Sequence, residues 1–83
     1  MRDGGMNPRL LLVEDDPVSQ AYLAEAARAL PARVDCAASI AEALSLAARH
    51  RHDAWLLDAN LPDGSGASLL ARLRELHPPP SPH

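Results

Sequence analysis

Two short apolar runs, each closed by acidic residues, constrain the fold of this chain more than any other feature. Residues 10–13 are Leu-Leu-Leu-Val followed by three acids at 14–16, and residues 54–57 are Ala-Trp-Leu-Leu followed by Asp58. Neither run alternates between apolar and polar residues, which is typical of strands buried on both faces of a parallel sheet. The pattern predicts an α/β domain with both acidic ends at one edge of the sheet.

A helix is predicted directly after the first run. Asp16 fits a helix-capping residue, and Pro17 fits the first helical position. Pro31 ends the predicted helix. Apolar residues recur every four positions along it and form one apolar face: Val18, Tyr22, Ala26 and Leu30, with Leu23 and Ala27 beside them.

One further strand and two further helices complete an alternating order. Residues 33–38 form a weaker strand candidate. Ser39 and Glu42 then fit a capping box that begins a helix ending near His50. Residues 67–77 show the leucine spacing of another helix. Three strand–helix repeats imply parallel strands that are joined by right-handed crossovers.

Length and composition exclude several classes of protein. The 83 residues suit one small domain: a flexible leader at 1–8, a folded part at 9–77 and a proline-rich tail at 78–83. A single cysteine excludes an internal disulfide, and no apolar run is long enough to span a membrane. The net charge is −3 and the eight arginines are scattered, so no nucleic-acid surface is expected. We therefore expect a cytoplasmic protein.

The acids that close the two runs predict a cation site. If the two strands are neighbours, three or four of the carboxylates converge at one edge of the sheet: Glu14, Asp15 and Asp58, with Asp16 interpreted as the helix cap. Such a cluster repels itself unless a cation compensates its charge, and oxygen ligands favour Mg²⁺. Because Mg²⁺ typically takes one or two carboxylates, one aspartate is left to act as a nucleophile towards phosphorus.

The motifs that contain these acids resemble the receiver domain of two-component response regulators. They are Leu-Leu-Leu-Val-Glu-Asp-Asp-Pro at 10–17 and Trp-Leu-Leu-Asp-Ala-Asn-Leu-Pro-Asp-Gly-Ser-Gly at 55–66. The resemblance implies a flavodoxin-like receiver fold, here incomplete, with three parallel strands in the order 2-1-3 and three helices. It also implies phosphorelay signalling, in which Asp58 accepts a phosphoryl group from a histidine kinase or phosphotransfer protein. The family's magnesium ligands map onto Glu14, Asp15, Asp58 and the backbone carbonyl of Asn60.

The sequence departs from the family in its second half. The resemblance ends near residue 77, after the third helix, so we expect a truncated receiver. A complete receiver places a Ser or Thr on a fourth strand and a Lys on a fifth, and this sequence has no Lys and no Thr. Without a fourth strand, residues 54–58 would form an exposed apolar edge that invites pairing with another chain. We expect self-association through that edge.

Two alternative functions remain open at this point. The first is a degenerate truncated receiver that serves as a phosphorylation-independent interaction or dimerisation module, which the missing Lys and hydroxyl favour. The second is an aspartate-nucleophile phosphatase or phosphotransferase similar to haloacid dehalogenases. That second class needs an acid two residues after its nucleophile, and this sequence has Asn60 there. A receiver itself is not expected to be a free-standing enzyme.

The remaining distinctive residues are predicted to be structural. The histidines, including His52 and His77, are expected to be solvated surface residues. Asp63 is expected to be a plain turn residue in the Leu-Pro-Asp-Gly segment. Cys36 is expected to be a small buried residue, and Trp55 is expected to pack in the core.

Overall fold

A computed structural model describes residues 8–78 of the chain. The predicted leader, apart from Pro8, and the predicted proline-rich tail, apart from Pro78, lie outside the described residues. The strands are β1 (Arg9–Val13), β2 (Arg33–Ala37), β3 (Ala54–Leu57), β4 (Asn60–Leu61) and β5 (Gly64–Ser65). The helices are α1 (Pro17–Ala27), α2 (Ile40–Arg49) and α3 (Gly66–Leu76).

The main sheet has the predicted order and direction. β1 lies in the centre and pairs in parallel with β2 on one side and β3 on the other, so the strand order is 2-1-3. The three long strands and three helices confirm the α/β prediction. The short antiparallel pair β4–β5 was not predicted as strand; it flanks the turn at Pro62 and Asp63. Gly64 there has a φ of 151°, which side chains rarely tolerate.

One face of the main sheet is well covered. Inward side chains of β1, including Leu11 and Val13, pack with α2 and α3 in a single buried cluster. Leu69 and Leu73 of α3 are completely buried there, and Trp55 of β3 packs against the cluster from its margin, as predicted. Most of the buried apolar side chains of the described chain lie on this face. Their packing holds the helices against the three strands.

Among the described helices, α1 alone covers the other face of the sheet. Two predictions about this face are wrong. The predicted apolar row of α1 points into solvent: Val18 is 76% exposed and Tyr22 is 73% exposed, and Ala26 is exposed as well. Leu30 lies beyond the helix, which ends at Ala27 rather than at Pro31, and is also exposed. Cys36 of β2, on this same face, is exposed rather than buried.

The orientation of α1 has a polar cause. The side-chain amide of Gln20 donates to the backbone carbonyls of Glu14 at 2.9 Å and Ala37 at 3.2 Å, which ties this residue to the sheet. Gln20 and the buried Ala27 lie on the opposite side of the helix from Val18. These contacts turn the Val18–Tyr22 row outward.

Among the described residues, no helix is both long and apolar enough to cross a membrane.

Candidate phosphoryl-acceptor site

The predicted acids meet at the edge of the sheet where β1 and β3 end, which we call the carboxyl edge. Val13 and Leu57 are paired in the parallel register, so the residues that follow them are neighbours. The backbone fixes both positions: the N–H of Glu14 donates to Ala37, and that of Asp58 donates to Val13, each at 2.9 Å. The sequence prediction of neighbouring acidic strand ends is therefore confirmed.

Three carboxylates converge at this edge. One oxygen each of Glu14, Asp15 and Asp58 lies within 4.8 Å of the others. Glu14 and Asp58 are half-buried, whereas Asp15 is exposed. None of the ion pairs found among residues 8–78 involves these three side chains. Among residues 8–78, the cluster is therefore a concentration of like charge without a basic partner, and a bound cation would reduce its repulsion.

The donor set at the carboxyl edge fits Mg²⁺. All three groups are carboxylates, the hard oxygen ligands that this ion prefers, and no sulfur or imidazole ligand intrudes among them. One oxygen of Glu14 also accepts a hydrogen bond from the backbone N–H of Asp16 at 3.1 Å, which orients this side chain. Asn60 begins β4, two residues after Asp58, so its backbone lies close to Asp58 along the chain.

Asp16 stands apart from the cluster, as the sequence predicted. Its side chain caps α1 by accepting from the backbone N–H of Ser19 at 2.9 Å. That hydrogen bond, with a further contribution from the Ser19 side chain, lowers the pKa of Asp16 below its usual value. Asp16, the third of the acids at 14–16, therefore serves as the N-terminal cap of α1.

The loop after Asp58 is held by a glycine whose role the sequence did not reveal. The N–H of Gly66 donates to the carbonyl of Ala59 at 2.9 Å. A Cβ at position 66 would collide with the backbone carbonyl oxygen of Asp58. Because that neighbour is backbone rather than a flexible side chain, only glycine permits the first turn of α3 to pack against the acceptor residue.

Asp63 also does more than the predicted turn. Its carboxylate accepts hydrogen bonds from the backbone N–H groups of Ile40 at 2.8 Å and Ala41 at 3.0 Å, at the start of α2. These two bonds lower the pKa of Asp63. The loop that follows the acceptor is therefore tied to α2, a link between distant residues that no local motif announced.

The prediction that the histidines are solvated is wrong for His52. This residue is only 6% exposed, and its Nε2 lies 2.8 Å from Oδ2 of Asp35. Arg9 donates to the same oxygen at 3.1 Å. Burial raises the pKa of Asp35, but the hydrogen bonds from His52 and Arg9 outweigh this effect and hold it below its usual value. The three residues form a compensated group at the opposite end of the strands, which we call the amino edge.

Comparisons with known proteins show the family to which the chain is similar. The family model described as response regulator receiver domain matches residues 10–82. Transcriptional regulatory protein PrrA of Mycobacterium tuberculosis is 38% identical over 76 residues, and so is PrrA of Mycobacterium bovis. The match covers 92% of this chain and 33% of each PrrA protein, so the chain spans about a third of these relatives.

Solved structures show the same likeness. The non-phosphorylated HemR receiver domain of Leptospira biflexa is 37% identical with a TM-score of 0.78, over 86% of this chain and 57% of that one. The signal receiver domain of an HD domain-containing protein of Pseudomonas fluorescens Pf-5 is 29% identical with a TM-score of 0.84. That match covers 94% of this chain and 57% of the Pseudomonas chain.

Proposed function

This chain belongs to the response regulator receiver domain family, and we propose that it accepts a phosphoryl group on Asp58. Receiver domains are signalling modules of two-component systems, so the chain takes part in phosphorelay signalling. The proposed donor is the phosphohistidine of a histidine kinase or of a phosphotransfer protein. The proposed receiver segment is residues 9–77, acting in the cytoplasm, and we assign it no free-standing enzymatic activity.

The convergence of Glu14, Asp15 and Asp58 within 4.8 Å is the observation that carries this proposal. These three carboxylates, together with the backbone carbonyl of Asn60, would hold Mg²⁺. When bound, the ion would offset negative charge on both the attacking carboxylate and the phosphoryl group. Glu14 and Asp15 directly follow β1, the strand that ends beside Asp58, so their charge lies next to the reacting group.

The transfer itself needs little from the protein beyond position. An oxygen of the Asp58 carboxylate attacks phosphorus, the P–N bond of the donor breaks, and the released imidazole nitrogen takes up a proton. The backbone of Asp58 is held on two sides, by its N–H bond to Val13 and by the close packing of Gly66. These contacts favour Asp58 as the acceptor because they fix its carboxylate at the end of the strand.

Intact-mass measurement tests the acceptor. The protein is incubated with Mg²⁺ and acetyl phosphate, and we expect the mass gain of one phosphoryl group. Asp58→Ala should abolish the gain, while Asp63→Asn, a matched change in the same loop, should keep it. A gain that persists in Asp58→Ala, or its absence from folded wild-type protein, would contradict the proposal.

A second candidate function is a phosphorylation-independent dimerisation module. Within the described chain, β3 pairs only with β1, so its other side carries unpaired backbone groups. Leu56 of β3 is 47% exposed and lies on the face of the sheet that carries α1. Val18 and Tyr22 of α1 are exposed as well. Since this sequence holds no Lys and no Thr, it contributes neither the family's ammonium nor a threonine hydroxyl to the site.

The proposed occupant of the β3 edge is the same edge of a second copy. Two identical edges can pair antiparallel about a twofold axis and satisfy each other's backbone groups. Light scattering at micromolar concentration should show a dimer in wild-type protein and a monomer in Leu56→Glu. Wild-type protein that stays monomeric at that concentration counts against this candidate and leaves the acceptor proposal intact.

A further inference from the structure

A pocket lies at the amino edge of the sheet, at the opposite end of the strands from the acidic cluster. It has a volume of about 410 Å³, within the range of small-ligand sites. Its walls come from the segment between α2 and β3, from the first residues of β3 and from the end of α3; they include Arg51, His52, Trp55 and Arg74. None of these residues takes part in the proposed phosphoryl-acceptor site.

Two buried ring nitrogens in this lining have no hydrogen-bond partner among residues 8–78: Nδ1 of His52 and Nε1 of Trp55. Buried polar atoms are nearly always paired, because an unpaired one loses its hydrogen bonds to water and gains none in return. The His52 ring is fixed by its Nε2, which lies 2.8 Å from the carboxylate of Asp35. A carboxylate accepts, so Nε2 carries a hydrogen, and in the tautomer with this hydrogen alone Nδ1 is an acceptor. The indole Nε1 of Trp55 is a donor.

The charges around the pocket favour an anion. Arg51 and Arg74 contribute two positive charges, in a chain whose net charge is −3. Asp53 is the acid in the lining, and its Oδ2 accepts from the backbone N–H of Arg9 at 2.7 Å. The histidine and aspartate ligand atoms here do not converge as a metal site, since the group found among residues 8–78 is Glu14, Asp15 and Asp58.

We propose that this pocket binds hydrogen phosphate. This ion carries acceptor oxygens for the two guanidinium groups and for Trp55 Nε1–H, and it also carries one hydroxyl that can donate to His52 Nδ1. A single small ligand thus satisfies both unpaired ring nitrogens and the positive charge. Arg51 and Arg74 are exposed and have long side chains, so their movement can admit the ion to the buried rings.

Trp55 is the sole tryptophan of the chain, so its fluorescence reports on the pocket directly. Inorganic phosphate is titrated at pH 8 with EDTA present and ionic strength held constant by sodium chloride. We expect a saturable change with a Kd on the order of 1 mM. Sulfate has the same shape but no hydroxyl at this pH, and it should bind at least about tenfold more weakly.

Variants separate this pocket from the rest of the molecule. Combined Arg51→Ala and Arg74→Ala should weaken phosphate binding at least about tenfold, the effect of losing two charge-assisted contacts. Arg72→Ala, an exposed arginine on the same helix outside the pocket, should leave binding unchanged, and so should Asp58→Ala. Absence of a saturable signal, equal affinity for sulfate, or an equal loss in Arg72→Ala would each overturn the proposal.

Discussion

The two ends of one three-stranded sheet treat the same kind of side chain in opposite ways. At the carboxyl edge, Asp58 lies close to two other carboxylates, and no arginine or histidine of the described part of the chain pairs with them. At the amino edge, Asp35 lies between Arg9 and His52, and both hydrogen-bond to it. The charge of Asp35 is balanced by Arg9 and His52, so this aspartate supports the fold. The acids of the carboxyl edge have no such basic partner among the described residues, and their charge favours a cation.

The difference has an energetic meaning. Carboxylates that converge repel one another, and the proposed Mg²⁺ would offset that repulsion. The amino-edge group instead fixes the buried His52 ring and joins β1 and β2 to the segment that precedes β3. Each of the following predictions tests whether this contrast between the edges is real.

Gly66→Ala should give the largest effect. The new methyl group would collide with the backbone carbonyl of Asp58, and neither backbone can move away without disturbing the acceptor loop. We expect a loss of about 3 kcal/mol in the free energy of unfolding, measured by urea denaturation. Ser68→Ala, an exposed change in the same helix, should alter it by less than about 0.5 kcal/mol. Equal stability of the two variants would show that the carboxyl edge does not depend on this packing.

Asp35→Asn should destabilise the protein by about 2 kcal/mol, because the buried His52 and Arg9 lose their charged acceptor. The matched control is Glu25→Gln, which removes an exposed pair with Arg28 at 3.8 Å. That change should cost less than about 0.5 kcal/mol. Urea denaturation compares the two, and similar losses would remove the distinction between the amino edge and the general surface.

Acid should weaken the fold through Asp35 and Asp63, whose pKa values are both lowered in the folded protein. Their contribution to stability is present above the ordinary carboxyl pKa of 3.8 and is lost as the pH falls below it through the folded values. Unfolding midpoints between pH 6 and pH 2 should decline mainly below pH 4, and the decline should be shallower in Asp35→Asn. A decline of the same steepness in that variant would separate Asp35 from the acid response.

Asp58→Asn should have the smallest effect, and with the opposite sign to Asp35→Asn. Removing one of three converging charges should stabilise the metal-free protein by about 0.5 kcal/mol at low salt. The gain should shrink as sodium chloride screens the repulsion. A loss of stability in Asp58→Asn at low salt would mean that the carboxyl edge is compensated in a way that the geometry does not contain.

The sequence predicted the parts of the molecule that depend on local pattern. Continuous apolar runs located β1 and β3, and the parallel arrangement placed Glu14, Asp15 and Asp58 at one edge. The cap at Asp16 was predicted correctly because a capping residue bonds within its own turn. These features need no knowledge of distant contacts.

The wrong predictions concern residues whose environment is set by distant parts of the chain. His52 is buried because Asp35, 17 residues earlier, accepts its hydrogen bond across the sheet. Asp63 caps a helix that begins 23 residues before it. The apolar row of α1 points outward because Gln20 bonds to Ala37. Periodicity in the sequence reports which residues share a face, but not which face the rest of the fold covers.

Isothermal titration calorimetry with Mg²⁺ tests whether Glu14, Asp15 and Asp58 at the carboxyl edge form one cation site. Wild-type protein should bind a single Mg²⁺ per chain, and Asp63→Asn should bind it equally well. Asp58→Asn and Asp15→Asn should each weaken binding at least about tenfold, because each removes a charged oxygen ligand. Absence of saturable binding to folded wild-type protein, or undiminished affinity in both of those variants, would contradict the account.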